Sequence, residues 1–374
     1  MDFDFSEDQR LLKDSVDRLV LDTYDFEQRK TYIAAPDGWS RENWARYAEL
    51  GLLGVNFSED HGGFGGGGAE MMLVAEAFGR GLVIEPYYAS IVLSGGLLRH
   101  AATAPIQDAY LPGIAAGETL FAFAHHERTA RFVAHHVGTT ATSTEAGWVL
   151  NGEKSLVLHG DSADKLLVTA RVAGGVRETR GIGLFLVDAN AVTKRGYATQ
   201  DAMRGAEITL DGVVAEAVLG LDAWPGISRA LDEASAYLCA EAVGAMEELL
   251  AITVDYMKTR KQFGRAISEF QVLQHRAVDM KVQIELARSM AMYATMMASD
   301  DDADVRARAI SAAKVQVGRS LRLVGQEAVQ LHGGIAVTME YKAGHYFKRL
   351  TLIEKSLGDT EAHLERLAAM GTAF

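Results

Sequence analysis

The hydrophobic period of this chain switches twice, and the two switches limit the folds open to it. Up to about residue 118 apolar residues recur at helical spacing, as in Leu11, Leu12, Val16, Leu19 and Val20. Beyond Glu118 the texture changes to short apolar or alternating runs between turn residues: 119–124, 138–144, 148–150, 165–170, 183–187 and 207–210. From about Ile227 the helical period returns. It runs without proline to Lys261, breaks at Phe263-Gly264, resumes over 267–297 and 306–329, and ends at His332-Gly333-Gly334. A last helix or pair of helices is predicted from Glu340 towards Met370. The chain is therefore predicted to be α+β, with a helical domain over 1–118, a β-domain over 119–220 and a bundle of long helices over 221–374.

Local signals refine this outline. Ser6 followed three residues later by Gln9 predicts a capping box at the first helix. Ser40 is predicted to start a helix reaching Leu50. The glycine run from Gly62 to Gly68 predicts a tight loop; it lacks the Lys-Ser/Thr pair of a nucleotide-binding Walker loop. Asn151-Gly152 predicts a hairpin turn between 148–150 and 155–158. Met290, Met292, Met296 and Met297 are predicted to be core residues. His125, His126, His135 and His136 do not predict a metal site, because adjacent residues of a strand point to opposite faces.

Composition excludes several classes. Thirty-seven basic residues against 50 acidic ones give a net charge of -13, and no long basic run offers a nucleic-acid surface. Cys239 is the single cysteine, which rules out a disulfide framework within the chain and fits a reducing compartment. The first ten residues are acidic and polar, unlike a secretory signal, and no apolar run reaches membrane-spanning length. A soluble cytoplasmic protein without membrane insertion is expected.

Three stretches carry a specific resemblance. They are Arg260-Lys261-Gln262-Phe263-Gly264 with Ile267, Phe270 and Gln271; Gln330-Leu331-His332-Gly333-Gly334 followed by Glu340-Tyr341; and Asn151-Gly152-Glu153-Lys154 before a strand. Together they resemble the acyl-CoA dehydrogenase family across essentially the whole chain, with the nearest likeness to the small-subunit branch named after pimeloyl-CoA dehydrogenase. The resemblance implies the family's fold: an N-terminal helical domain, a middle β-barrel-like domain and a C-terminal four-helix bundle. It implies FAD as cofactor, with Arg260 on the pyrophosphate, where a planar charged fork suits phosphate oxygens. Gln262 and Gln271 would hydrogen-bond the cofactor, Phe263 would lie beside it, and Gln330 with Gly333 and Gly334 would hold the adenosine end. In this family such groups reach FAD held mainly by a neighbouring subunit, so an oligomer is implied.

Departures from the family pattern change the expected activity. The family uses an Asp or Glu to remove the α-proton of an acyl-CoA while FAD takes the β-hydride. Its two positions for that base correspond to Ala234 and Leu357, neither of which accepts a proton. Glu233 and Asp359 stand beside them as displaced candidates. The family's Trp-x-Thr segment at the flavin ring becomes Leu156-Val157-Leu158, and its Thr-Glu-Pro becomes Ala124-His125-His126. The expected protein is thus a less catalytic subunit of an α2β2 acyl-CoA dehydrogenase forming trans-2-enoyl-CoA, with a homologous subunit as partner and electron-transfer flavoprotein as acceptor. A self-sufficient homotetramer using Asp359 and a flavin-free structural or interaction protein are the alternatives.

Overall fold

The computed structural model of the chain describes residues 5–371. Helix α1 (Glu7–Thr23) opens with the predicted capping box: the Gln9 N–H donates to the Ser6 hydroxyl at 3.2 Å and the Ser6 N–H to the Gln9 amide oxygen at 3.0 Å. Two otherwise orphaned donors are satisfied reciprocally. Helix α2 (Phe26–Ala34) follows; its polar residues gave no stripe by which to foresee it. Ser40 caps α3 (Arg41–Glu49), accepting the Asn43 N–H at 3.1 Å. The glycine run forms an irregular loop before α4 (Gly68–Gly81). A buried π-helical stretch (Tyr88–Gly95) then runs into α5 (Gly96–Ala101), and Pro105 sits in the first turn of α6 (Ala104–Ala115), where a missing N–H costs nothing.

Eight strands follow: β1 (Phe121–Ala124), β2 (Thr140–Thr144), β3 (Gly147–Leu158), β4 (Lys165–Arg171), β5 (Ile182–Asp188), β6 (Thr193–Ala198), β7 (Arg204–Val214) and β8 (Ala217–Gly220). They form one sheet ordered β6-β7-β3-β2-β4-β5-β8, with β1 beside β4. The sheet is mixed and open, which overturns the barrel-like expectation. Pairs β1–β4 and β2–β4 are parallel, the others antiparallel, and the path ends at β6 and β8 without closure. A barrel needs its first and last strands to pair and an inward apolar row on each. Strand β6 lacks that row: Thr193, Arg195, Gly196 and Ala198 are exposed, and its cations suit an unpaired edge. The sheet's core holds Leu150, Val157, Leu166, Phe185 and Ile208.

The hairpin expectation at Asn151-Gly152 is also corrected. Strand β3 runs straight through that dipeptide, and the β2–β3 turn lies at Glu145-Ala146 instead. The Asn151 side chain is committed elsewhere, accepting the Gly212 N–H at 2.8 Å. Gly152 marks a register shift against β7, and a Cβ there would press 2.6 Å from the Thr139 hydroxyl.

Helix α7 (Trp224–Thr259), the short hairpin strands β9 (Lys261–Gln262) and β10 (Arg265–Ala266), α8 (Gln271–Met297), α9 (Ala303–His332), α10 (Lys342–Lys355) and α11 (Thr360–Ala369) complete the chain. Contacts divide it into two compact units. One comprises the chain up to Lys30, residues 68–83, and everything from Ser235 on; the other comprises 31–67 and 84–234. In the first, α9 is flanked by α8, α10 and α11. Helices α4 and α7 approach so closely that a Cβ on Gly244 would overlap the Glu76 carbonyl. Among the described residues no helix is long and apolar enough to cross a membrane.

The four methionines of α8 are not core. Met290, Met292 and Met297 are half-buried and Met296 is exposed. With exposed Val272, Val278, Val282, Leu286 and Tyr293 they form an apolar outer face, because Met280, Ile284, Ala287, Ala291 and Ala294 take the inward stripe.

Candidate functional site

The Arg260 segment is a small hairpin hung on the end of α7. The Arg260 N–H donates to the Tyr256 carbonyl at 2.8 Å, and the Ile267 N–H returns to the Arg260 carbonyl at 2.9 Å. Between them Gln262 pairs with Arg265. Phe263 and Gly264 both have positive φ, +54° and +81°, as a two-residue turn with the right twist requires. Phe263 projects 91% exposed at the tip, and its ring meets Phe270 edge-on at 6.2 Å. Arg265 already lies over the Phe270 ring, 4.4 Å from its centre. Arg260 is exposed, and its guanidinium meets no carboxylate or other acceptor among the described residues. Gln271, the first residue of α8, is exposed.

The second segment closes α9. Gln330 is exposed on its last turn. Gly333 takes a φ of +67°, and a Cβ at Gly333 or Gly334 would meet nothing within 4 Å, so the backbone there is open to close approach. A charged fork, the three amides of Gln262, Gln271 and Gln330, and bare backbone are donors suited to a pyrophosphate and its adenosine. These residues fit part of the cofactor that the resemblance implies.

The two residues that the resemblance aligns with a base carry no proton acceptor in their side chains. Ala234 is buried within α7. Leu357 lies between α10 and α11 with φ +56°, 37% exposed. Its carbonyl accepts a hydrogen bond from His363 Nε2 at 3.1 Å, while His363 Nδ1 meets the Ser311 hydroxyl at 3.2 Å. Burial, then the Lys314 charge, pushes His363 down to about 3, so it is neutral in this role. Lys314 itself donates to the Ile353 and Ser356 carbonyls at 3.0 and 2.8 Å, fixing the same loop.

Both displaced candidates are otherwise engaged. Asp359 caps α11, accepting the Ala362 N–H at 2.9 Å, and pairs with Lys355 at 2.9 Å. Burial raises its pKa, but those partners outweigh it and hold the carboxyl below its usual range. Glu233 receives Arg99 at 2.5 Å and His100 at 2.7 Å. Burial again works upward, and His100 and Arg99 together hold it low. A carboxylate so stabilised is a weak proton acceptor.

The segment that the resemblance sets beside the flavin ring is apolar. Leu156 sits at a bulge in β3 with φ +51° and is 44% exposed; Val157 is buried. His125 stacks flat on Phe123, centroids 4.9 Å apart, and its Nδ1 meets the Thr169 hydroxyl at 2.9 Å. Burial, then the Lys154 charge, pushes its pKa down to about 3. Lys154 is fully buried and donates to Glu127 at 2.7 Å, and to Thr169 and the His125 carbonyl at 3.2 Å. Glu127 also accepts from the Gly138 and Thr139 N–H groups and the Thr139 hydroxyl, all within 2.9 Å. This network escaped the sequence reading because its members come from separate strands and loops. His126 is exposed, His135 packs edge-on against Trp224 and His136 meets Thr129, so the four histidines do not converge. Among the described residues no three or more metal-ligating side chains cluster.

Helical segment, mixed sheet and helical bundle, with an exposed cationic hairpin beside a Gly-Gly turn, define the acyl-CoA dehydrogenase class of fold. Family profiles match in three consecutive pieces: Acyl-CoA dehydrogenase, N-terminal domain, over residues 6–118; middle domain over 122–213; C-terminal domain over 224–371. Acyl-CoA dehydrogenase IpdE2 of Mycobacterium tuberculosis is 30% identical over 345 residues, covering 92% of this chain and 91% of that protein. A variant of the Tcur3481-Tcur3483 steroid ACAD superposes with a TM-score of 0.87 at 29% identity, covering 97% of each chain. The ChsE4-ChsE5 complex from Mycobacterium tuberculosis superposes with a TM-score of 0.87 at 25% identity over 100% of each. The chain belongs to the acyl-CoA dehydrogenase family.

Proposed function

We propose that this chain is the less catalytic subunit of a heteromeric, FAD-dependent acyl-CoA dehydrogenase and completes the FAD site of a homologous partner. One observation carries the reading: an exposed, acceptor-free Arg260 beside exposed Gln262, Phe263, Gln271, Gln330, Gly333 and Gly334, in a chain whose base positions are Ala234 and Leu357. When bound, FAD supplies the hydride acceptor that turns an acyl-CoA into a trans-2-enoyl-CoA. In this reading Arg260 holds the pyrophosphate, Gln330 and the two glycines receive the adenosine end, and the partner provides the base. The apolar outer face of α8 supports an assembled protein, since so much exposed Val, Leu and Met is unusual for a monomer. The paired names of the two solved relatives, one a steroid ACAD and one a complex, support a two-chain enzyme for a bulky or unusual acyl group. So does the likeness to the pimeloyl-CoA dehydrogenase small-subunit branch. The functional domains follow the sequence division at about 118 and 220, the location is cytoplasmic, and electron-transfer flavoprotein takes the electrons. Asp359, spent on a helix cap and an ion pair, does not favour a self-sufficient homotetramer.

The test is reconstitution. The chain is purified alone and with a homologous acyl-CoA dehydrogenase from the same genome, and flavin stoichiometry, mass and turnover of an acyl-CoA panel are recorded. Flavin and turnover that require both chains support the proposal. Rapid turnover by the isolated chain overturns it.

A further inference from the structure

The two segments that the proposed function sends to a partner's FAD are far apart in sequence, yet three aromatic rings join them. Tyr256 lies on the last turn of α7, and its carbonyl accepts the Arg260 N–H at 2.8 Å. Its ring packs on His332, centroids 4.6 Å apart. His332 is the last residue of α9, directly before Gly333 and two residues after Gln330. Its Nδ1–H donates to the Ala328 carbonyl at 2.8 Å, which fixes the ring's orientation. Tyr341, at the cap of α10, closes the triangle, 5.2 Å from His332 and 6.3 Å from Tyr256. The rings are tilted at 33° to 57°, and their centroid separations lie within the range of aromatic contacts.

Each ring thus stands at the end of a different helix. The tips of the hairpin and of the Gly-Gly turn are exposed. Phe263 is almost wholly exposed, Gly264, Gly333 and Gly334 meet nothing within 4 Å of a Cβ, and Val337 and Met339 are exposed. The three rings join the end of α7 to the end of α9 directly, beside the Lys342–Glu248 ion pair at 2.7 Å that ties α10 to α7.

We infer that Tyr256, His332 and Tyr341 are positioning residues: a three-ring clamp that fixes the Arg260 hairpin relative to the Gln330-Gly333-Gly334 turn, so that both reach a dinucleotide as one preorganised unit. The functional half of this inference rests on the proposed FAD contribution; the geometric half does not. Preorganisation matters because ordering two mobile segments at the moment of binding subtracts from affinity. His332 is 4% exposed, and burial lowers its pKa below the ordinary histidine value.

The test uses the full chain with Cys239→Ala and nitroxide labels on Lys261→Cys and Val337→Cys, both exposed positions. Tyr256→Leu keeps apolar bulk and removes the ring; Tyr341→Leu, at a half-buried cap position, is the gentler variant should the first not fold. The expected result is a label–label distance distribution at least twice as broad in either folded variant, with secondary structure unchanged. An unchanged distribution overturns the clamp. A second arm measures FAD affinity of the two-chain complex. Tyr256→Leu is expected to weaken it about tenfold (about 1.4 kcal/mol) with Arg260 present, and hardly at all in an Arg260→Ala background. Broadened distances with FAD affinity untouched by either Tyr256→Leu or Arg260→Ala would uphold the clamp and sink the FAD reading. Equal, additive losses in both backgrounds would overturn its action through Arg260.

Discussion

Breaking the buried Lys154–Glu127 pair is expected to cost more than deleting it whole. Lys154 has no exposed side-chain surface and Glu127 very little. Burial drives Glu127 upward, but the Lys154 charge and the donors of Gly138 and Thr139 overcome it and hold the carboxyl at about 2 against an ordinary 4.5. That drop corresponds to about 3 kcal/mol in favour of the folded carboxylate. Burial pushes Lys154 the other way, to about 8 against 10.5, so its ammonium is disfavoured by about the same amount. Burial opposes both charges, and their mutual attraction with the Gly138 and Thr139 donors offsets it, so the pair adds little net stability as a unit. Lys154→Met alone strands a buried carboxylate and should lose about 3–5 kcal/mol. Adding Glu127→Gln removes the stranded charge; its amide oxygen keeps the Thr139 donors while its NH2 faces the Gly138 N–H, so the double variant should lose less than Lys154→Met alone, about 1–3 kcal/mol. Guanidinium unfolding gives the energies, and amide exchange at Gly138 and Thr139 localises them. The signs with pH follow. The Glu127 contribution is present above pH 4.5 and is lost on acidification towards about 2. The Lys154 penalty is present below about pH 8 and fades as the pH rises towards 10.5, a window in which wild type gains stability and Lys154→Met does not. A double variant that loses the sum of the two single losses would refute the coupling.

Other outcomes are expected at the candidate site. Arg260→Ala should weaken flavin binding by the two-chain complex by about 1.5–3 kcal/mol, read from flavin absorbance after gel filtration, and Arg260→Lys should recover only part because the planar fork is lost. Asp359→Asn should leave partner-dependent turnover within about twofold, since asparagine also caps helices and a positioned base would be worth roughly 10²–10⁴ in rate; a collapse of kcat with flavin still bound would return Asp359 to a catalytic role. Leu357→Asn should stabilise the chain by about 0.5–1 kcal/mol, because asparagine enters the left-handed region more readily than leucine and Leu357 is only partly buried; a lower Tm would show that packing outweighs the backbone term.

What could be read in the sequence was local or periodic. Ser6 with Gln9, Ser40 before α3, and Phe263-Gly264 each declare themselves within a few residues, and the long stripes of α7 and α9 need no tertiary knowledge. The two candidate cofactor segments stand out for the same reason, being short motifs. Strands β6 and β8 were missed because one is polar and the other four residues long. Asn151-Gly152 misled because a strong turn dipeptide is overridden when apolar residues on both sides must share one sheet; the glycine serves a bulge and a close approach instead. The methionines of α8 misled because hydrophobicity alone does not say which face of a helix turns inward. Glu233 and Asp359 looked like free acids because Arg99 and His100 lie more than a hundred residues from the first, and a helix cap defines the second only once the helix end is known.

The left-handed leucines have a further consequence. Leu156 and Leu357 hold a backbone that branched, bulky residues resist, at φ +51° and +56°. Around Leu357 the backbone is held from outside: Lys314 donates to the Ser356 carbonyl and His363 to the Leu357 carbonyl, neither bond involving the leucine side chain. A side chain substituted at Leu357 would therefore meet a backbone whose course is already fixed from two neighbouring helices.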